Sequence, residues 1–210
     1  MEADFWHQRW SAREIGFHQM EINRFLADYW GSLGLPCDGR VLVPLCGKSK
    51  DMLWLAQRGH SILGIELSET AVQEFFEEFG VTPDISQKGA FKSYQMENIE
   101  LLVGDFFALT AADLAGVAGV YDRAALVALP PKMREDYVRL LAKLLPAQAQ
   151  TLLITFEYLP GAAEGPPFSV SEEDVTRLFS NECEIQTLDS QYFDLRGTDA
   201  TEHVFHLSYR

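Results

Sequence analysis

Val41-Leu42-Val43 is an unbroken apolar run, the pattern of a strand buried on both faces as in a parallel sheet. Gly47 lets the chain turn, and Met52, Leu53, Leu55 and Ala56 then recur at helical spacing until Gly59 ends the helix. Ile62-Leu63-Gly64-Ile65 is the next strand and ends in Glu66. Ser68 caps a helix whose Val72, Phe75, Phe76 and Phe79 share one face before Gly80. Ile99 to Val103 reads as a third strand ending at Gly104-Asp105, and Val117 to Tyr121 as a fourth ending at Asp122-Arg123. A helix after Pro131 turns Met133, Tyr137, Leu140, Leu141 and Leu144 inward, and the strand Thr151 to Tyr158 follows. Ser171 with Asp174 forms a capping-box pattern for a helix reaching Phe179. Glu184 to Phe193 and Glu202 to Tyr209 alternate, which suits an antiparallel pair at the end of the sheet.

The rest of the pattern is less regular. Ile22, Phe25, Leu26, Tyr29, Trp30 and Leu33 predict one amphipathic helix over residues 19–33, ended by Gly34 and Pro36. Residues 82–98 are polar and irregular, with a short strand at Phe91 to Gln95. The Pro- and Gly-containing stretch from Leu159 to Phe168 reads as a rigid surface turn. Together these elements predict an α/β, doubly wound, mostly parallel sheet of seven strands with an antiparallel last strand and helices on both faces. We expect one domain over residues 1–210, with an aromatic lid and helix in 1–35 and the core in 36–210.

Composition narrows the class. The chain has 210 residues, 47% of them hydrophobic, enough for one sizeable core. No apolar stretch is long enough to span a bilayer, and Met1-Glu2-Ala3-Asp4 is acidic where a signal peptide is basic, so a cytoplasmic protein without membrane contact is expected. The net charge of -14 argues against nucleic acid as a partner, because that binding rests on neutralising phosphates. Cys37, Cys46 and Cys183 are odd in number without C-x-x-C spacing and suggest neither a disulfide framework nor a metal site. His203 and His206, three apart on a strand, point to opposite faces and read as two exposed residues, so no metal is expected.

The strand-turn-helix-strand unit around Gly47 has the layout of a nucleoside-cofactor site. Glu66 lies nineteen positions after Gly47, near the spacing at which an acid meets a ribose diol. A dinucleotide fold normally shows G-x-G-x-x-G, but positions 44 to 46 are Pro, Leu and Cys. Gly47-Lys48-Ser49 resembles the end of a phosphate loop, whose first glycine would fall at Leu42 inside the strand. A cofactor with a ribose and no phosphate fits better, and S-adenosylmethionine is the commonest in this layout. The bland alternative is an ordinary β-α-β unit in which Glu66 caps the next helix.

Val43-Pro44-Leu45-Cys46-Gly47-Lys48, Arg58-Gly59-His60-Ser61, Gln73-Glu74-Phe75-Phe76, Asp122-Arg123-Ala124-Ala125-Leu126-Val127-Ala128 and Gly165-Pro166-Pro167-Phe168 make the chain resemble thiopurine S-methyltransferases over nearly its whole length. Trp6, Trp10, Phe17 and His18 also stand at that family's spacing, while Ala124 replaces a glycine of its vertebrate members. The resemblance implies a Rossmann-like class I methyltransferase with an N-terminal helical lid. Its donor would be S-adenosylmethionine, its product S-adenosylhomocysteine, and its acceptor a small aromatic or heterocyclic thiol. Selenium or tellurium compounds would be further acceptors, as the resemblance to bacterial members implies. A monomer is expected from the family and from the net charge.

Candidate site residues follow from both readings. Trp6, Trp10, Leu45, Gly47, Glu66, Asp105, Phe106 and Arg123 are candidates for the donor site, and Phe17 and Arg196 for the acceptor. Phe5, Trp6, Trp10 and Phe17 would form a closed aromatic lid, with Trp6 and Trp10 on one helix face beside the sulfonium; core packing is the alternative. Arg123 and Arg196 are the candidate catalytic residues. Arg123 would pair with the donor's carboxylate or hold an aromatic thiol as thiolate, unless it only pairs with Asp122 or another carboxylate. Arg196 is either a partner for the substrate's acidic sulfur or a solvated loop arginine, and Asp105 is alternatively a helix N-cap. Lys48 reads as a solvated loop lysine. Other readings remain: a methyltransferase for another small-molecule acceptor, a noncatalytic sensor of S-adenosylmethionine, and a phosphoryl-transfer enzyme built on Gly47-Lys48-Ser49.

Overall fold

Four strands with nearly continuous burial form the middle of the molecule: β1 (Arg40–Pro44), β2 (Ser61–Glu66), β6 (Val117–Arg123) and β7 (Gln150–Tyr158). The computed structural model describes residues 3–195 and 197–210. β1 runs parallel to β2 on one side, with Leu42 opposite Leu63, and to β6 on the other. β5 (Ile99–Val103) extends the parallel block beyond β2, and β7 extends it beyond β6. β9 (Thr198–Tyr209) then pairs antiparallel with β7, and β8 (Cys183–Leu195) antiparallel with β9. The chain therefore winds outward from β1 first to one side and then to the other. That reversal opens a crevice at the carboxyl ends of β1 and β6, where such sheets bind ligands.

Successive side chains of β1 point to opposite faces, which fixes the two cores. Leu42, Leu63, Val120 and Leu153 pack under α5 (Pro131–Leu144) and α6 (Glu172–Phe179). Val41, Val43, Tyr121 and Ile154 pack under α2 (Arg24–Tyr29), α3 (Asp51–Ala56) and α4 (Glu69–Glu78). Helices thus cover both faces, and α1 (Ala3–Ser11) lies at the mouth of the crevice beside α4.

Four details differ from the expectations. The sheet has nine strands, because β3 (Asp84–Lys88) and β4 (Phe91–Met96) form a hairpin added outside β5. All five residues of β3 are exposed, so no alternation betrays it. The helix expected over 19–33 begins at Arg24, because the Asn23 side chain accepts from the N–H groups of Phe25 and Leu26 at 3.0 and 3.3 Å. It tightens into a 3-10 turn at Trp30–Leu33 and stops at left-handed Gly34. His203 and His206 do face opposite ways, yet neither is exposed. His203 is buried, with Nε2 2.9 Å from Glu157 and Nδ1 2.9 Å from Ser190, and His206 lies 2.6 Å from Gln150. Lys48, expected in solvent, is 6% exposed because its Nζ lies 2.7 Å from Glu74 and 2.6 Å from Glu78 of α4.

Candidate active site

Where β1 ends, the backbone turns through two left-handed residues, Leu45 at φ 47° and Gly47 at φ 52°. Gly47 has a second reason to lack a side chain, since a Cβ there would lie 3.2 Å from the Trp10 ring. The turn presents the Gly47 N–H to Glu66 at the end of β2, 2.8 Å from Oε2, while the Ser68 N–H donates to Oε1 at 2.8 Å. The Leu67 N–H also favours the carboxylate, which still has acceptor capacity beyond these backbone donors. Burial pushes the Glu66 carboxyl above its ordinary pKa, against the pull of these N–H groups. The cap of α4 itself is Ser68, whose hydroxyl accepts from Ala71.

These groups line a cavity of about 250 Å³. Trp6, Trp10, Leu45, Gly47, Glu66, Asp105, Phe106, Arg123 and Phe17 all border it, so the structure brings together every described residue of the candidate set. Trp6 and Trp10 come from α1, and each meets Phe17 edge-on, with ring centroids 5.9 and 5.7 Å apart. Trp10 is buried, and Phe5 stands behind Trp6 without bordering the cavity. The lid is tied to α4 through the Arg13–Glu74 pair at 3.5 Å. Asp105 is also an N-cap, accepting from the Phe107 N–H at 2.9 Å, and Phe106 packs on Tyr137. His18, beside Phe17, has a buried Nε2 with no hydrogen-bond partner.

At the end of β6 the two adjacent charged residues part ways. Asp122 turns to the α5 face, where its carboxylate accepts from Tyr137 Oη at 2.6 Å and from the Leu126 N–H at 3.1 Å. Burial pushes its pKa up to about 6 against these donors. Arg123 turns to the other face and pairs with Asp51 of α3, Nε to Oδ2 at 3.2 Å. Asp51 also accepts from Tyr121 Oη at 2.9 Å and from the Asn23 N–H at 2.9 Å. Burial and the neighbouring Asp51 charge hold the Tyr121 phenol well above its usual pKa, so it remains a donor. Sequence reasoning missed Asp51, whose place at the first turn of a helix gives it an ordinary structural appearance.

Arg123, Ala124 and Phe17 also border a second cavity of about 180 Å³. Its walls include Val127, Ala128, Phe156, Phe193, Pro166 and Pro167. The turn at 159–168 therefore supplies a wall as well as a surface connection. The Phe168 N–H is anchored on the Val127 carbonyl at 2.7 Å. Arg196 lies outside the described residues, while Phe193, Asp194 and Leu195 before it border this second cavity.

Two cavities that share Phe17, Arg123 and Ala124 thus lie at the crevice of a doubly wound sheet. The family model for thiopurine S-methyltransferase matches residues 1–205. This chain belongs to that family. The family's Pseudomonas fluorescens thiopurine S-methyltransferase is 50% identical over 91% of this chain and 88% of its own length. The Azotobacter vinelandii thiopurine S-methyltransferase is 46% identical, with 100% of each chain covered. Among solved structures, a Burkholderia thailandensis 1,6-didemethyltoxoflavin-N1-methyltransferase with bound S-adenosylhomocysteine superposes with a TM-score of 0.66 at 17% identity. It covers 99% of this chain and 86% of its own. A Methanosarcina mazei S-adenosylmethionine-dependent methyltransferase also gives 0.66, at 18% identity, covering 90% and 99%. Family membership makes the chain an S-adenosylmethionine-dependent methyltransferase, and these neighbours place its fold among the class I methyltransferases.

Proposed function

We infer that the larger cavity binds S-adenosylmethionine and the smaller one a small aromatic or heterocyclic thiol, with methyl transfer to sulfur where the two meet. The observation that carries this reading is that Arg123, Ala124 and Phe17 border both cavities. The larger lining fits the donor: Glu66 keeps acceptor capacity for a ribose hydroxyl, and Asp105, Phe106 and Phe107 offer an edge and rings to a base. When bound, S-adenosylmethionine supplies an electrophilic methyl group on a sulfonium.

The chain's own residues then position and desolvate. The rings of Trp6, Trp10 and Phe17 cover the crevice and exclude water from the nucleophile. Near-attack positioning of this kind is worth roughly 7–11 kcal/mol. Arg123, fixed at Nε by Asp51, offers its guanidinium to the smaller cavity and favours the thiolate form of an aromatic thiol. Arg196 is a second candidate for the acidic sulfur, and selenium or tellurium acceptors fit the same apolar walls. No group is needed as a strong base, because such a thiol ionises with modest help. We place this activity in the cytoplasm, in a monomer. No helix among the described residues is long and apolar enough to cross a membrane.

Isothermal titration with S-adenosylmethionine, followed by mass detection of methylated 6-mercaptopurine, tests the reading. Binding with one methyl gained at sulfur is the expected result. Binding without turnover across thiol, selenium and tellurium acceptors would return the sensor alternative, and absence of binding would overturn the donor site.

A further inference from the structure

Arg134 is a buried cation that borders neither cavity. It lies near the start of α5, 3% exposed, and its hydrogen bonds go to backbone carbonyls from two different parts of the chain. Nε donates to the Leu129 carbonyl at 2.8 Å and Nη1 to the Ser169 carbonyl at 3.1 Å, and the guanidinium stands 5.8 Å from the centre of the Phe168 ring. Each segment it holds runs directly into a wall of the smaller cavity, Val127 and Ala128 on one side and Pro166 and Pro167 on the other. A guanidinium carries its N–H groups in a rigid planar fork, so two carbonyls bound by one fork are fixed relative to each other. The remaining nitrogen, Nη2, is buried without a hydrogen-bond partner. An apolar side chain would fill the same space without that cost but would hold neither carbonyl.

We propose that Arg134 is a positioning residue that sets the width of the acceptor cavity, by clamping the wall at 166–169 to the wall at 127–129. The assignment rests on the reading of the smaller cavity as the acceptor site. The two walls are not equally secured without the clamp. The turn Leu126–Ala128 has ties of its own, since the Leu126 N–H donates to Asp122 at 3.1 Å and the Leu129 N–H to the Leu126 carbonyl at 3.2 Å. In the opposite wall Pro166 and Pro167 have no N–H to give. That wall hangs on the Phe168 N–H, bonded to the Val127 carbonyl at 2.7 Å, and on two side chains that donate to its carbonyls: Tyr158 Oη to Pro167 at 2.9 Å, and Arg134 to Ser169. Losing Arg134 therefore frees the proline wall, while Leu129, which edges the larger cavity, stays fixed by its turn. Acceptor binding depends on the clamp and donor binding does not.

The test measures methylation of 6-mercaptopurine and isothermal titration of S-adenosylhomocysteine on the full chain and on four variants. Arg134→Met keeps the stem and loses both donors, Arg134→Lys keeps the charge and one donor, and Tyr158→Phe removes the second tie of the same wall. Leu141→Ala is the control, a buried residue of α5 that borders neither cavity and whose loss lowers the melting temperature through the core alone. Arg134→Met should raise KM for 6-mercaptopurine by about fivefold or more, with kcat within about twofold, because the loosened wall weakens ground and transition states alike. S-adenosylhomocysteine affinity should stay within about twofold. Arg134→Lys and Tyr158→Phe should raise KM by smaller factors, and Leu141→Ala should leave it unchanged. An unchanged KM in Arg134→Met, the same rise in Leu141→Ala, or a parallel loss of donor affinity would overturn the assignment. If Arg134→Met does not fold, Arg134→Lys and Tyr158→Phe decide by the same readout. A native chain that binds S-adenosylhomocysteine but methylates no thiol would overturn the acceptor reading and this assignment with it, whereas native turnover with KM indifferent to all three wall variants would overturn the assignment alone.

Discussion

Glu66 and Asp51 stand on opposite sides of the candidate site, both nearly inaccessible, at 6% and 1% exposure. Glu66 is held by backbone N–H groups, those of Gly47 and Ser68 at 2.8 Å and that of Leu67 beside them. Asp51 takes the Asn23 N–H on one oxygen and both the Tyr121 hydroxyl and the Arg123 guanidinium on the other. A carboxylate met only by backbone donors keeps lone pairs for a ligand, whereas one already paired with a cation and a phenol is committed to holding protein groups. In the proposed function the β1–β2 side therefore binds the donor and the β6–α3 side orients a cation toward the acceptor.

Replacing Asp51 should break this comparison most severely. Asp51→Ala leaves the Arg123 charge, the Tyr121 hydroxyl and the Asn23 N–H without their shared partner, and removing one member of a buried pair costs about 3–5 kcal/mol. Urea denaturation measures it; a loss under about 1 kcal/mol would show that solvent or another acceptor replaces the carboxylate.

Asp122 sharpens the contrast, as a third buried carboxylate with no cation. Its folded pKa of about 6 lies above the ordinary 3.8, so the folded state holds the proton more tightly than the unfolded chain. The resulting stability is fully present below about pH 4 and is lost as pH rises through about 6. Two units correspond to roughly 3 kcal/mol at most. Relative to Asp122→Asn, which cannot titrate, the native chain should lose stability from about pH 4 to about pH 7. Parallel pH dependences in the two proteins would contradict this.

Glu66→Ala should have its effect on ligand. Loss of one or two charge-assisted hydrogen bonds to the ribose weakens S-adenosylhomocysteine by about 1.5–3 kcal/mol for each. Unchanged affinity in isothermal titration would show that Glu66 serves only the Gly47 turn.

Much of this contrast was legible in the chain, and for identifiable reasons. The run at Val41-Leu42-Val43 and the glycine-to-acid spacing from Gly47 to Glu66 gave the sheet's centre and one side of the site, since local pattern decides both. Family motifs brought in Trp10, Phe17 and Arg123, which the fold gathers around one cavity. Asp51 and Tyr121 were not legible, because their partners lie far along the chain and neither carries a distinctive spacing. Lys48 was misread for the same reason: its burial comes from Glu74 and Glu78 of α4. Of the hairpin β3–β4, the strand at Phe91 was legible, whereas β3 escaped because an exposed edge strand has no buried face to imprint a pattern.

We propose a division of labour in which Glu66 holds the donor and Arg123 acts on the acceptor. Single-turnover methylation of 6-mercaptopurine at saturating S-adenosylmethionine, comparing the native chain with Arg123→Lys, tests it most directly. Lysine keeps the charge but loses the planar fork that Asp51 orients, so the rate should fall by at least roughly tenfold, about 1.4 kcal/mol. Donor affinity should stay within about twofold. An equal rate in the lysine variant, or a loss accounted for entirely by weaker donor binding, would contradict the division.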